Sequence, residues 1–210
     1  MDSVKTRLKE QVKALRTEAI MEAANKLLAE KGYESMTMDE VAERVGMSKA
    51  SLYKFFPSKE DLAAQAMVKV LDQALALIDD LRDGPEPNPL QCLRELTRWA
   101  MQTKLDGEMP SLPAQNSSLS ASLMAHEPYV ERLLSMSLKL GVWVAQAQSA
   151  GQIDPELPTD FVLYQLYARS CDPVLGVMKE DGRYSREQIL DWMLQVQFEG
   201  LAPTLKRSTS

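Results

Sequence analysis

The chain has 210 residues, 45% of them apolar, with a net charge of −6, two cysteines and a single histidine. That suffices for one large domain, or for one small and one of medium size. Its longest apolar runs fall far short of the ~20 residues a membrane span needs, and the charged start MDSVKTRLKEQVKALR does not read as a signal peptide.

Cys92 and Cys171 stand far apart with no Cys-x-x-Cys spacing. Together with His126 they make neither a recognised zinc site nor a nucleophile–base pair. The expectation is a cytoplasmic protein with reduced, buried thiols, no metal, no cofactor and no enzymatic activity. The charge is uneven: residues 1–60 hold eleven Lys/Arg against ten Asp/Glu, and residues 61–210 thirteen against twenty. Five of those cations, Lys5, Arg7, Lys9, Lys13 and Arg16, crowd the first sixteen residues. Only the N-terminal part can approach a phosphate backbone without strong repulsion.

In chain order, almost everything reads as helix. Ile20, Ala23, Ala24, Leu27 and Leu28 make one apolar stripe that ends at Lys31-Gly32. Thr37-Met-Asp-Glu40 is a capping box opening a second helix, with Val41, Ala42 and Val45 facing inward. Gly46 marks a sharp turn, and Ser48 caps a third helix that runs through Leu52 to about Phe55, before Pro57. Ser58 caps a fourth helix with Glu60 and Asp61 in its first turn, extending to about 82. The run Gly84-Pro-Glu-Pro-Asn-Pro89 breaks it. Further helices are expected over 89–105, 115–125, 128–150, 159–179 and 185–199, the last opened by the capping box Ser185-Arg-Glu-Gln188. The fold class is all-α.

The spacing over 37–59 is that of a helix-turn-helix. Ala42 and Gly46 are one helical turn apart, so the helices cross closely, and Val41, Val45, Met47 and Leu52 supply a small shared core. The outward row is Ser48, Lys49, Ala50, Ser51, Tyr53 and Lys54. Small residues at 50 and 51 let the backbone approach base edges, and Lys49 has the reach for guanine O6 or N7. Tyr53 and Lys54 are placed for phosphate, and Lys59 sits at a helix start where backbone N–H groups also attract phosphate.

Over about 17–67 the sequence resembles the TetR family of bacterial one-component regulators. Ala23-Ala24, Gly32-Tyr33, Thr37, Val41-Ala42, Gly46, Ser48, Leu52-Tyr53, Phe56 and Ser58-Lys59-Glu60-Asp61-Leu62 carry the likeness. The resemblance implies a three-helix DNA-binding domain, here 1–58 with a basic N-terminal arm, and a larger helical ligand-binding and dimerisation domain, 59–205. It implies a homodimer on a palindromic operator, with DNA contact falling to Thr37, Ser48, Lys49, Ala50, Ser51, Tyr53, Lys54 and Lys59. Phe55 departs from the pattern: members often carry His or Tyr there, able to hydrogen-bond phosphate.

Residues 161–178 and 189–198 are apolar on more than one face, which fits a dimer interface through the helices at about 159–179 and 185–199. A pocket for a small molecule is expected among the helices after 89. Its large side chains are Trp99, Met101, Met124, Trp143, Phe161, Tyr164 and Tyr167, with His126 and Arg169 adding polarity. The function expected is a ligand-responsive transcriptional repressor, the ligand acting through the fourth helix. A helical DNA-binding adaptor or activator without a small ligand, and a small helical enzyme, are the alternatives.

Overall fold

The computed structural model describes residues 2–84, 88–110 and 117–200, and the side chains from residue 6 onward. Ten helices and no strand are found among them. They are α1 (Asp2–Ser35), α2 (Met38–Val45), α3 (Lys49–Leu52), α4 (Lys59–Arg82), α5 (Pro89–Leu105), α6 (Ser118–Ala125), α7 (Glu127–Ser149), α8 (Thr159–Ser170), α9 (Pro173–Asp181) and α10 (Arg186–Glu199). No helix among the described residues is long and apolar enough to cross a membrane.

The chain divides into two compact units, Met1–Val70 with Gly107–Val130, and Leu71–Asp106 with Glu131–Ser210. Two of the three divisions fall inside α4 and inside α7, and the third follows α5. In the first unit, Ile20, Ala24, Leu27 and Leu28 of α1 are buried together with Val41, Ala42, Leu52, Phe56, Leu62 and Ala66. In the second, the core gathers Ile78, Leu93, Met101, Leu140, Val144 and Leu194 among others. Cys92 belongs to it, and burial pushes its thiol above the usual range.

Two elements differ from the sequence reading, and the open start of the first helix is now placed. α1 starts at Asp2: the residues ahead of the Ile20 stripe contain no Gly or Pro, are rich in good helix formers and are helical as well. It is interrupted at the expected place, where Gly32 takes φ 75° and ψ 171°.

α3 is shorter than expected. It ends at Leu52, and residues 53–55 follow as tight turns in which the amides of Phe55 and Phe56 both donate to the carbonyl of Leu52.

The helix expected over 159–179 is two helices, α8 and α9, separated at Cys171-Asp172. Pro173 explains the break, since it lacks an N–H and drives the residue before it out of helical geometry. Asp172 instead becomes a cap, its carboxylate accepting from the amide of Val174 at 2.9 Å. Arg169 pairs with the same carboxylate at 2.8 Å. The tail from 201 lies outside the described residues, as do 111–116 of the expected loop and following helix.

Candidate nucleic-acid interface

The entry to α2 is built by its own first turn. Thr37 Oγ1 accepts from the amide of Glu40 at 3.3 Å, and Glu40 Oε2 accepts from the amide of Thr37 at 3.0 Å. The capping box is therefore closed in both directions. Lys31 donates to the other oxygen of Glu40. Lys31 first, then Thr37, hold the Glu40 carboxyl at about 2, far below the usual carboxylate range.

The exit from α2 is a Schellman turn. Gly46 sits at φ 73° and ψ 38°, its amide donating to the carbonyl of Glu43, while the amide of Met47 donates to that of Ala42 at 2.9 Å. Two of the last orphan carbonyls of α2 are satisfied, and the chain is turned into Ser48. Ser48 caps α3, its Oγ accepting from the amide of Ser51 at 3.2 Å and donating to the Ser51 hydroxyl at 2.9 Å.

Behind this bend Val41, Ala42, Leu52 and Phe56 are buried almost completely. Val45 and Met47, expected in the same core, are only half-buried. They border an open hollow rather than a packed neighbour.

On the outer face Thr37, Ser48, Lys49, Ala50, Tyr53 and Lys54 are exposed, and Ser51 is half-buried. Lys49 donates to Asp39 Oδ2 at 2.7 Å, and the carboxylate raises its ammonium pKa further. Lys59 stands apart at the start of α4. Its ammonium lies 4.2 Å from the ring centroid of Tyr33 and donates to the carbonyl of Glu34 at 3.4 Å. Tyr33 in turn donates to Glu60 Oε1 at 2.6 Å, which locks the end of α1 to the first turn of α4.

Sequence reasoning missed these local partners. Asp39 lies ten residues from Lys49, and Glu60 twenty-seven from Tyr33. No periodicity rule joins them before the bend is known. The bidentate pair of Arg44 with Glu30, both contacts 3.1 Å, was missed for the same reason.

The eight side chains expected around a ligand are not alike. Met124 and His126 belong to the first unit, the other six to the second. Met101 and Trp143 are core residues, and Trp99 and Tyr167 are half-buried beside them. The Tyr167 hydroxyl meets the Ser137 hydroxyl at 2.9 Å, and burial pushes its phenol above the usual range. Met124, Phe161 and Tyr164 are not interior side chains: they are 64%, 46% and 65% exposed. His126 ends α6, and its Nδ1 accepts from the amide of Tyr129 at 3.3 Å, a capping role.

A family model described as "Bacterial regulatory proteins, tetR family" matches residues 20–66, which enclose the stripe of α1, the bend and the first turns of α4. That stretch of the chain matches the TetR family. Among its relatives is the HTH-type transcriptional regulator RutR of Escherichia coli K12, 23% identical over 88% of this chain and 90% of that protein. The HTH-type transcriptional repressor KstR2 of Mycobacterium tuberculosis H37Rv is 27% identical over 68% of this chain and 72% of that one. Among solved structures, apo AibR superposes with a TM-score of 0.60 at 27% identity, covering 87% of this chain and 98% of that one. FadR of Bacillus subtilis in complex with stearoyl-CoA superposes with a TM-score of 0.65 at 16% identity, covering 87% and 98%. The TetR family consists of transcriptional regulators rather than enzymes.

Proposed function

We propose that the protein is a ligand-responsive transcriptional repressor that binds a palindromic operator as a homodimer and is released by a small molecule. The observation that carries this is the outer face of the bend. Thr37, Ser48, Lys49, Ala50, Ser51, Tyr53 and Lys54 lie together on it, with Lys59 at the start of α4, over a core that fixes the backbone. Lys49 and Ser51 read base edges, and Tyr53, Lys54 and Lys59 hold phosphates.

Two readers must be held about 34 Å apart, which calls for a two-fold partner. Exposed Phe161, Tyr164, Val174, Val177, Trp192 and Val196 on α8, α9 and α10 supply an apolar surface for that partner. The division of labour follows: residues 1–58 read DNA, and 59–205 bind ligand and dimerise. KstR2 is a transcriptional repressor, and FadR of Bacillus subtilis holds stearoyl-CoA. An apolar or aromatic molecule suits the Trp99, Met101, Trp143 and Tyr167 neighbourhood. Its binding shifts α4, a single helix from Lys59 to Arg82, and changes reader spacing by a coupling of about 1–3 kcal/mol.

The test is selection of bound duplexes from a random pool by the full chain, with sedimentation of the protein alone. A two-fold symmetric consensus and a dimer support the reading. Lys49→Ala then changes base preference, whereas Lys59→Ala weakens all sequences alike. No enrichment, or a monomer that still selects a palindrome, overturns it. A dimer retained in Trp192→Asp with Val196→Asp removes α10 from the interface.

A further inference from the structure

The first sixteen residues are left over by the helix-turn-helix. They continue α1 outward by four turns, with Leu8, Val12 and Leu15 exposed on one stripe. Beside them run Lys9, Lys13 and Arg16, spaced to share a face.

Two hollows open along this segment. One of about 340 Å³ is lined by Leu8, Lys9, Val12, Lys13, Arg16 and Phe55. The other, of about 570 Å³, has Val12, Leu15 and Arg16 on one wall and Ser48 and Ser51 of α3 on the other, with Phe55 again at the join. No carboxylate lines either hollow. Elsewhere in the first unit Lys26, Lys31, Arg44, Lys49 and Lys69 form ion pairs. Lys9, Lys13 and Arg16 form none among the described residues, although the chain as a whole is acidic.

We infer that this arm is a second DNA-contacting element, seating one sugar–phosphate strand beside the reader helix. Lys9, Lys13 and Arg16 bind phosphates of that strand, and Val12, Leu15 and Phe55 lie against the deoxyriboses between them. From Lys9 to Arg16 the helix rises about 10 Å, close to three base-pair steps at about 3.4 Å each. Phe55, which cannot hydrogen-bond phosphate, gains a role as the apolar floor shared by arm and reader.

A basic amphipathic helix also suits an anionic membrane surface. The second hollow favours DNA, because its far wall is the reader itself, so one ligand meets both. The inference rests on the DNA-binding reading of the bend.

The experiment uses the full chain with Lys9, Lys13 and Arg16 all changed to Ala, and a second version with all three changed to Gln. Alanine is the best helix former, so the arm stays helical, which circular dichroism checks. The probe is a mixed-sequence duplex several helical turns long, titrated against salt. Each lost phosphate contact removes about 0.9 from the slope of log affinity against log salt. The variants therefore show weaker binding and a slope shallower by about 3 per protomer, with the base preference of the wild type intact. Wild-type slope and affinity in both variants overturn the inference while leaving the reader assignment standing. Binding of the wild type, but not the variants, to phosphatidylserine vesicles, with no change on DNA, assigns the arm to membranes and overturns it too. A wild type that binds no duplex even at low salt overturns both readings.

Discussion

Replacing Tyr33 with Phe isolates the tie between the end of α1 and the start of α4. The ring is 7% exposed and keeps its place, while the O–H that it donates to Glu60 at 2.6 Å is lost. A hydrogen bond to a charged group contributes about 1.5–3 kcal/mol net. Glu60 is half-buried and takes water in its place, so the lower end applies, about 1.5 kcal/mol.

The pH dependence fixes the cause. The bond from Tyr33 holds the Glu60 carboxyl below its ordinary value of 4.5. A depressed carboxyl stabilises fully above the unfolded value, and that contribution is lost as pH falls through the folded one. Burial first, and Glu60 second, push the Tyr33 phenol from 10.0 up to about 12. A raised phenol stabilises fully below 10.0, and its contribution is lost as pH rises toward about 12. The gap between wild type and variant is therefore widest from 4.5 to 10.0 and narrows on either side.

Urea unfolding of the full chain at neutral, acid and alkaline pH measures it. Ultraviolet titration of the six tyrosines should find one that ionises only near 12, absent from the variant. A gap under about 0.5 kcal/mol at neutral pH, the range of an inert surface change, refutes the reasoning. So does a gap that stays constant on acidification.

Thr37→Ala opens the capping box and should cost about 1 kcal/mol in urea unfolding, with the Glu40 carboxyl moving up toward 4.5 by carbon-13 titration. Gly46→Ala meets nothing within 4 Å of the new Cβ, so its cost is the left-handed backbone alone, about 1–2 kcal/mol, and Gly46→Asn should recover much of it. Phe56 is 1% exposed; Phe56→Ala should cost about 3–5 kcal/mol and abolish duplex binding by unfolding the first unit, which amide exchange would register as lost protection over 20–66. Asp39→Asn frees Lys49 and should tighten binding to any duplex while steepening its salt dependence, measured by fluorescence anisotropy.

The bend was legible because its signals are local. The Thr37 capping box needs only residues three apart, the Gly46 turn needs a positive φ that glycine tolerates, and the Ser48 cap precedes a short apolar run. Each appeared where the spacing placed it. Asp172-Pro173 carried an equally local signal, yet the continuous apolar run from Phe161 to Met178 masked it, and one helix was expected where there are two. Exposure was illegible. Phe161 and Tyr164 have the same composition cue as Trp143 and Met101, and only the packing of α8 shows that the first two face outward. Cross-element partners such as Lys49 with Asp39 follow from the angle between helices, which hydrophobic periodicity does not encode.

On the proposed function, the distribution of paired and unpaired charge lets an acidic chain engage DNA through one face. Over 61–210 there are thirteen cations against twenty carboxylates, so general adhesion to phosphate is disfavoured outside the N-terminal segment. Within that segment, Arg44 is held by two contacts to Glu30 across helices, a geometry suited to bracing α2 against α1. The pair of Lys49 with Asp39 is different, with side chains 50% and 66% exposed. Pairs so exposed to water are weak. Exchanging Asp39 for a guanine edge or a phosphate therefore costs little, and the partner that keeps Lys49 extended in the free protein is weak enough to be displaced. Arg44 thus serves the fold and Lys49 the proposed reading, while Lys59, which touches Tyr33 and Glu34, is shared by both.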